Sequence, residues 1–95
     1  MDWKIELITV PVSDVDRAIS FYRDAAGFTL DHDHRVSEGL RFVQLTPSGS
    51  VCSIALGEGI SEMVPGSLQA IQVVVADASQ ARSELLGSWR RRERG

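Results

Sequence analysis

Apolar and polar positions alternate almost from the first residue. Over residues 4–12, Ile8, Val10 and Val12 fall on one face and Leu7, Thr9 and Pro11 on the other. A period of two is that of a strand with one face buried. Pro11 lacks the N–H a ladder needs, which puts it at an edge or a strand end. After Asp14 the period changes. Val15, Ala18, Ile19 and Tyr22 recur at helical spacing, Phe21 and Ala25 widen the stripe, and Gly27 stands where a helix would stop. Asp14 suits the N-cap, because its carboxylate can accept from the free amides of the first turn and favours the positive helix end. Residues 28–36 and 40–46 read as strands joined through Ser37-Glu38-Gly39. Pro47-Ser48-Gly49-Ser50 predicts a second turn, and residues 51–56 a fourth strand. Gly57, Gly59, Pro65 and Gly66 then mark a linker.

The pattern starts again beyond it. Ile71-Gln72-Val73-Val74-Val75-Ala76-Asp77-Ala78-Ser79-Gln80-Ala81 repeats Ile8-Thr9-Val10-Pro11-Val12-Ser13-Asp14-Val15-Asp16-Arg17-Ala18, with Ile, Val, Val, Asp and Ala at matching places. Such self-similarity marks a duplicated structural unit. The second copy predicts a fifth strand over 67–76 and a second helix capped by Asp77, with Gln80 completing a capping box. Ala78, Ala81 and Leu85 form that helix's apolar stripe, and Gly87 is placed to end it. The order is β-α-β-β-β, linker, β-α. This is an α+β chain: residues 1–57 a βαβββ module, 58–66 a linker, 67–87 a partial second module (βα), and 88–95 a basic tail.

Composition narrows the function classes. Ninety-five residues allow one domain with a modest core. Hydrophobic and charged fractions of 43% and 24% are those of a soluble globular protein. A net charge of -3 gives no reason to expect a nucleic-acid partner, and the run Arg90-Arg91-Arg92-Glu93-Arg94 reads as a solvated end. No apolar run approaches the roughly 20 residues of a membrane span, and the chain opens on a strand rather than a leader. Cys52 is the single cysteine, which fits a reducing compartment, and a cytoplasmic location is expected. Its apolar setting makes it a small buried hydrophobe rather than a nucleophile.

The stretch Val10-Pro11-Val12-Ser13-Asp14-Val15-Asp16-Arg17-Ala18-Ile19-Ser20-Phe21-Tyr22, followed by Ala26-Gly27-Phe28, resembles the opening of the vicinal oxygen chelate superfamily. That superfamily includes glyoxalase I, bleomycin-resistance proteins and extradiol dioxygenases. The resemblance covers residues 4–87. It implies two βαβββ modules curled into a cup, with helices outside and the ligand on the concave face. In metal-dependent members, His or Glu side chains near the start of strands one and five and on the fourth strand of each module hold a divalent metal. Such a metal polarises vicinal oxygens of the substrate. In this sequence the corresponding positions are Leu7, Ala70 or Ile71, and Ala55 or Ile54, none of which can ligate. No cofactor is therefore expected; a divalent metal (Ni, Zn, Fe or Mn) is the alternative. A second module without its last three strands would expose an apolar face and unpaired backbone, so a homodimer is expected, with exchanged elements as one form of it.

Alternation places Ile8, Val10, Val12, Ile71, Val73 and Val75 under the helices and turns Thr9 and Gln72 into the cup. Phe42 and Gln44 join from the third strand, and Ser53 and Ala55 from the fourth. Thr9, Phe42, Gln44, Ser53 and Gln72 are the candidate ligand-binding residues. An apolar lining with sparse polar groups suits a small apolar or aromatic molecule. Thr9 and Gln72 equally suit a plain sheet face or a dimer seam. His32 and His34 share a strand face, as a metal pair would, opposite Asp31 and Asp33. A pocket rim or an edge strand protected by charge would use the same pair. Arg35 and Arg41 flank one hairpin, either to clamp an anionic ligand or to pair with Asp31, Asp33 or Glu38. Gly57-Glu58-Gly59 lacks the context of a phosphate loop, and no serine occupies a nucleophile elbow. Three readings result: metal-independent binding of a small molecule; metal-dependent lyase, isomerase or dioxygenase chemistry; and a truncated relative without activity.

Overall fold

A computed structural model describes residues 1–68 and 71–94, with side chains through residue 87. Its elements are β1 (Leu7–Thr9), α1 (Val15–Ile19) continued by a π-helical turn (Ser20–Ala25), β2 (Thr29–Ser37), β3 (Leu40–Thr46), β4 (Ser53–Glu58) and α2 (Ala78–Arg94). One sheet has the order β1-β4-β3-β2. β1 runs parallel to β4, and β3 is antiparallel to both of its neighbours.

β1 is shorter than the alternation over 4–12. Its ladder with β4 reaches only from Ser53 N–H to the Glu6 carbonyl (2.8 Å) and from Val10 N–H to the Ala55 carbonyl (2.7 Å). Pro11 has no proton to continue it. Asp14 caps α1 from extended backbone (φ -130°, ψ 100°), its carboxylate accepting from Arg17 N–H at 3.0 Å. The helix then widens: Ala26 N–H donates to the Phe21 carbonyl (2.9 Å) and Phe28 N–H to the Tyr22 carbonyl (2.8 Å). Gly27, at φ 77°, turns the chain out into β2.

The core lies between this helix and the sheet. Val10, Val15, Ile19, Val43, Leu45, Ile54 and Leu56 are buried there, with Tyr22, Phe28 and Leu30 packed at its margin. Val43, Leu45 and Leu56 are wholly buried, each contributing about 1.5–3 kcal/mol of transfer free energy. β4 begins at Ser53 rather than Val51, which is 73% exposed. Slipping the boundary by two preserves the phase, so Ser53 and Ala55 keep one face and Ile54 and Leu56 the other. At Gly57 any Cβ would collide with the Arg41 carbonyl oxygen across the β3–β4 ladder.

Three expectations fail. Residues 71–75 form no strand: Ile71, Val73, Val74 and Val75 are 46%, 59%, 95% and 47% exposed. β propensity alone cannot hold a strand, which needs a neighbour for its backbone groups, and none lies beside it among the described residues. Ala70 lies outside those residues. Second, Gly87 does not end α2, which continues to Arg94; a glycine weakens a helix by about 1 kcal/mol but stops it only where the chain turns left-handed. Third, the β2–β3 register shifts between Leu30 and His32, so Asp31 leaves the face on which strict alternation would put it. No helix among the described residues is long and apolar enough to cross a membrane.

Candidate ligand-binding face

The face of the sheet opposite α1 is set by register. His32 pairs with Gln44, Gln44 with Ala55, and Ala55 with Thr9; His34 pairs with Phe42, and Phe42 with Gly57. Leu7 pairs with Ser53 on the same side. Thr9, Phe42, Gln44 and Ser53 thus share one open face. Leu7, Phe42, Ala55 and Gly57 give it an apolar floor. A cavity of about 410 Å³ adjoins one end, where Thr9 and Gly57 meet Ile60, Ser61, Met63 and Pro65 of the linker.

Across that floor runs a line of polar contacts. Gln44 Nε2 lies 3.3 Å from Ser53 Oγ, Ser53 Oγ lies 2.6 Å from Thr46 Oγ1, and the Thr46 hydroxyl donates to Asp31. Ser53 is the one buried polar side chain among the described residues, at 7% exposure, and the line satisfies it. Alternation shows Thr46 on this face but says nothing of its partner. Asp31 reaches it only because of the register shift.

Gln72 is not beside Thr9. It lines a cavity of about 140 Å³ on the helix side, with Ile8, Tyr22, Phe28 and Ile54. The two residues would be symmetric only if both copies of the repeat entered the sheet. A cleft of about 620 Å³ on the same side separates Tyr22, Ala25 and Phe28 from Val73, Ala81 and Leu85. The Tyr22 ring meets Phe21 edge-on and lies tilted against Phe28 (ring centroids 5.2 and 5.4 Å), and burial pushes its hydroxyl pKa up.

His32 and His34 sit exposed on the edge strand β2, their rings 6.2 Å apart. No three His, Cys, Asp or Glu side chains gather into a metal-binding group among the described residues. The inherited positions Leu7 and Ala55 present only hydrocarbon to the open face, so the residues there do not fit a divalent metal. Arg41 faces the other way. Its guanidinium holds Asp33 (2.8 and 2.9 Å) and Asp16 (3.0 Å), with 13% of the side chain exposed. The hydrogen bond from Arg41 holds the Asp33 carboxyl below the usual range, and Asp33 and Asp16 raise Arg41 further. Arg41 is therefore a tie between α1 and the sheet rather than a clamp on the open face. Arg35 makes a two-pronged pair with Glu58 (3.0 and 3.2 Å) rather than with the acids of its own hairpin, and lowers the Glu58 pKa.

A four-stranded sheet with one helix on its back and an open, mixed-polarity front defines a βαβββ module. Residues 4–87 match the model of the Glyoxalase/Bleomycin resistance protein/Dioxygenase superfamily, and the chain belongs to that family. Among solved structures it is similar to TnmS3, an antibiotic binding protein from Streptomyces sp. CB03234, at 30% identity and a TM-score of 0.79, over 90% of this chain and 70% of that one. A glyoxalase/bleomycin resistance protein from the same Streptomyces strain shares 31% identity, with a TM-score of 0.77, over 88% and 73% of the two chains. A superfamily member from Sphaerobacter thermophilus DSM 20745 shares 28% identity, with a TM-score of 0.76, over 90% and 71%. A search of the curated proteins finds no match.

Proposed function

We propose that this protein binds a small apolar or aromatic molecule on the open face of its sheet, without a metal, in the manner of drug-sequestering relatives. The observation that carries the reading is the face itself: an apolar floor crossed by one hydrogen-bonded polar line, with hydrocarbon at the inherited ligand positions. Apolar area supplies affinity, and a few polar groups orient the ligand. Kinship with an antibiotic binding protein supports the same class of ligand. A homodimer belongs to this proposal, because the valines of 71–75 and Leu85 and Leu86 of α2 leave apolar surface uncovered. The free thiol of Cys52 suits a reducing, cytoplasmic setting.

The test is calorimetric titration with a panel of aromatic antibiotics, bleomycin among them, before and after treatment with EDTA. Saturable binding that EDTA leaves unchanged is expected. Binding or turnover that appears only with Ni, Zn, Fe or Mn would replace this reading with lyase, isomerase or dioxygenase chemistry. A sedimentation profile of a stable folded monomer at micromolar concentration would remove the dimer.

A further inference from the structure

The polar line on the open face has a direction, and proton counting fixes it. A carboxylate only accepts, so the Thr46 hydroxyl must donate to Asp31. That hydroxyl has one proton, now used. The 2.6 Å contact between Thr46 and Ser53 must then be Ser53 donating to Thr46. Ser53 in turn has no proton left, so Gln44 must offer it an N–H, across 3.3 Å. The order is Gln44 Nε2–H to Ser53 Oγ–H to Thr46 Oγ1–H to Asp31. The two ends of an amide are nearly interchangeable by shape, yet only one orientation satisfies this chain. Each member polarises the next, which strengthens the series.

We infer that Asp31 is a positioning residue: acting through Thr46 and Ser53, it holds the Gln44 carboxamide in one orientation, so that the open face presents the Gln44 Oε1 oxygen as an acceptor. The ligand such a face selects carries a hydroxyl or N–H donor on an otherwise apolar ring system, a refinement that rests on the binding reading above. The four residues come from β3, β4 and the register shift in β2, and Gln44 stands between the His32 position and Ala55 in the middle row of the sheet. A donor on the ligand gains the bond, whereas a ligand without one leaves a dehydrated oxygen unpaired, and that asymmetry is the source of discrimination.

Two readouts test this. The first needs no ligand: exchange with water of the Gln44 side-chain amide protons, followed by nuclear magnetic resonance. Thr46→Val keeps the shape and removes the hydroxyl; Thr46→Ser restores it. In the wild type and Thr46→Ser one Gln44 amide proton should exchange slowly. In Thr46→Val it should exchange about fivefold faster, the scale of one net hydrogen bond. Asp31→Ala, at an exposed position, should do the same and serves if Thr46→Val does not fold. Unchanged exchange in a folded Thr46→Val or Asp31→Ala protein overturns the positioning role. The second readout compares 2-naphthol with 2-methoxynaphthalene. The wild type should prefer the naphthol by about fivefold, and the ratio should fall toward one in Thr46→Val and recover in Thr46→Ser. Equal binding of both probes by the wild type overturns the donor selectivity. If neither probe binds, the ligand class is overturned, while amide exchange still decides whether Asp31 orients Gln44.

Discussion

Asp14 and Asp77 make the same contact in the two copies of the repeat. Each carboxylate accepts from the amide three residues on at 3.0 Å, and each backbone carbonyl from the amide four residues on at 3.0 Å. What precedes each cap differs completely. Leu7, Ile8 and Thr9 are laddered to β4, and Val10 is 8% exposed. Their counterparts from Ile71 onward have no ladder, and Val73, matching Val10, is 59% exposed. A cap is satisfied by atoms within four residues of it. A strand needs a partner from elsewhere, and the parallel partner of the first copy arrives only with β4, more than forty residues later. Like sequence therefore yields like structure at helix starts and unlike structure at strands.

The sharpest way to test this contrast is to delete side chains in each copy's surroundings. Leu56→Ala, beneath α1, should lose about 2–5 kcal/mol in urea denaturation. Val74→Ala in the second copy should change stability by no more than about 0.5 kcal/mol in the same measurement at concentrations where the chain is monomeric. A large loss at Val74 would mean that the second copy is packed in solution, and dependence of that loss on protein concentration would locate the packing between chains.

Next in size are the two caps. Asp14→Ala should lower global stability by about 1 kcal/mol, because α1 covers the core. Asp77→Ala removes an identical bond, yet its effect should stay local: faster amide hydrogen exchange over residues 78–87 with an unmoved denaturation midpoint. Equal global losses would show that α2 unfolds together with the sheet.

The smallest expected effect is electrostatic. Arg41 ties α1 to β2 and β3 through Asp16 and Asp33, and no charged pair joins residues 78–87 of α2 to the sheet among the described side chains. Arg41 holds the folded-state pKa of Asp33 below its unfolded value. That stabilisation is present above the ordinary aspartate range, near pH 4, and is lost as pH falls through the lowered folded value. Acid titration of Arg41→Met should show a shallower loss of stability on that limb than the wild type. Parallel curves for the two proteins would remove Asp33 as its source.

Elements built from near neighbours were legible in the chain. Val15, Ile19 and Tyr22 announced α1, Asp14 and Gly27 its ends, and Gly39 and Gly49 the turns around β3. The open face was legible as well, because a period of two assigns Thr9, Phe42, Gln44 and Ser53 to one side however the strand ends slip. What escaped depends on pairing between distant segments. Asp31 joins Thr46 only through a register shift that no composition rule announces. Arg35 chooses Glu58 because β4 lies across β3 from it, although closer acids stand in its own hairpin. Gln72 looked equivalent to Thr9 by repetition and is not, since equivalence in sequence becomes equivalence in space only when both strands enter one sheet.

Gly57 is a letter the molecule cannot respell. Every other amino acid would bring a Cβ against the carbonyl oxygen of Arg41 and part β3 from β4. The open face therefore has a fixed bare spot beside Phe42, made of peptide rather than side chain. A saturation library at position 57, sorted for folded protein, should return glycine alone.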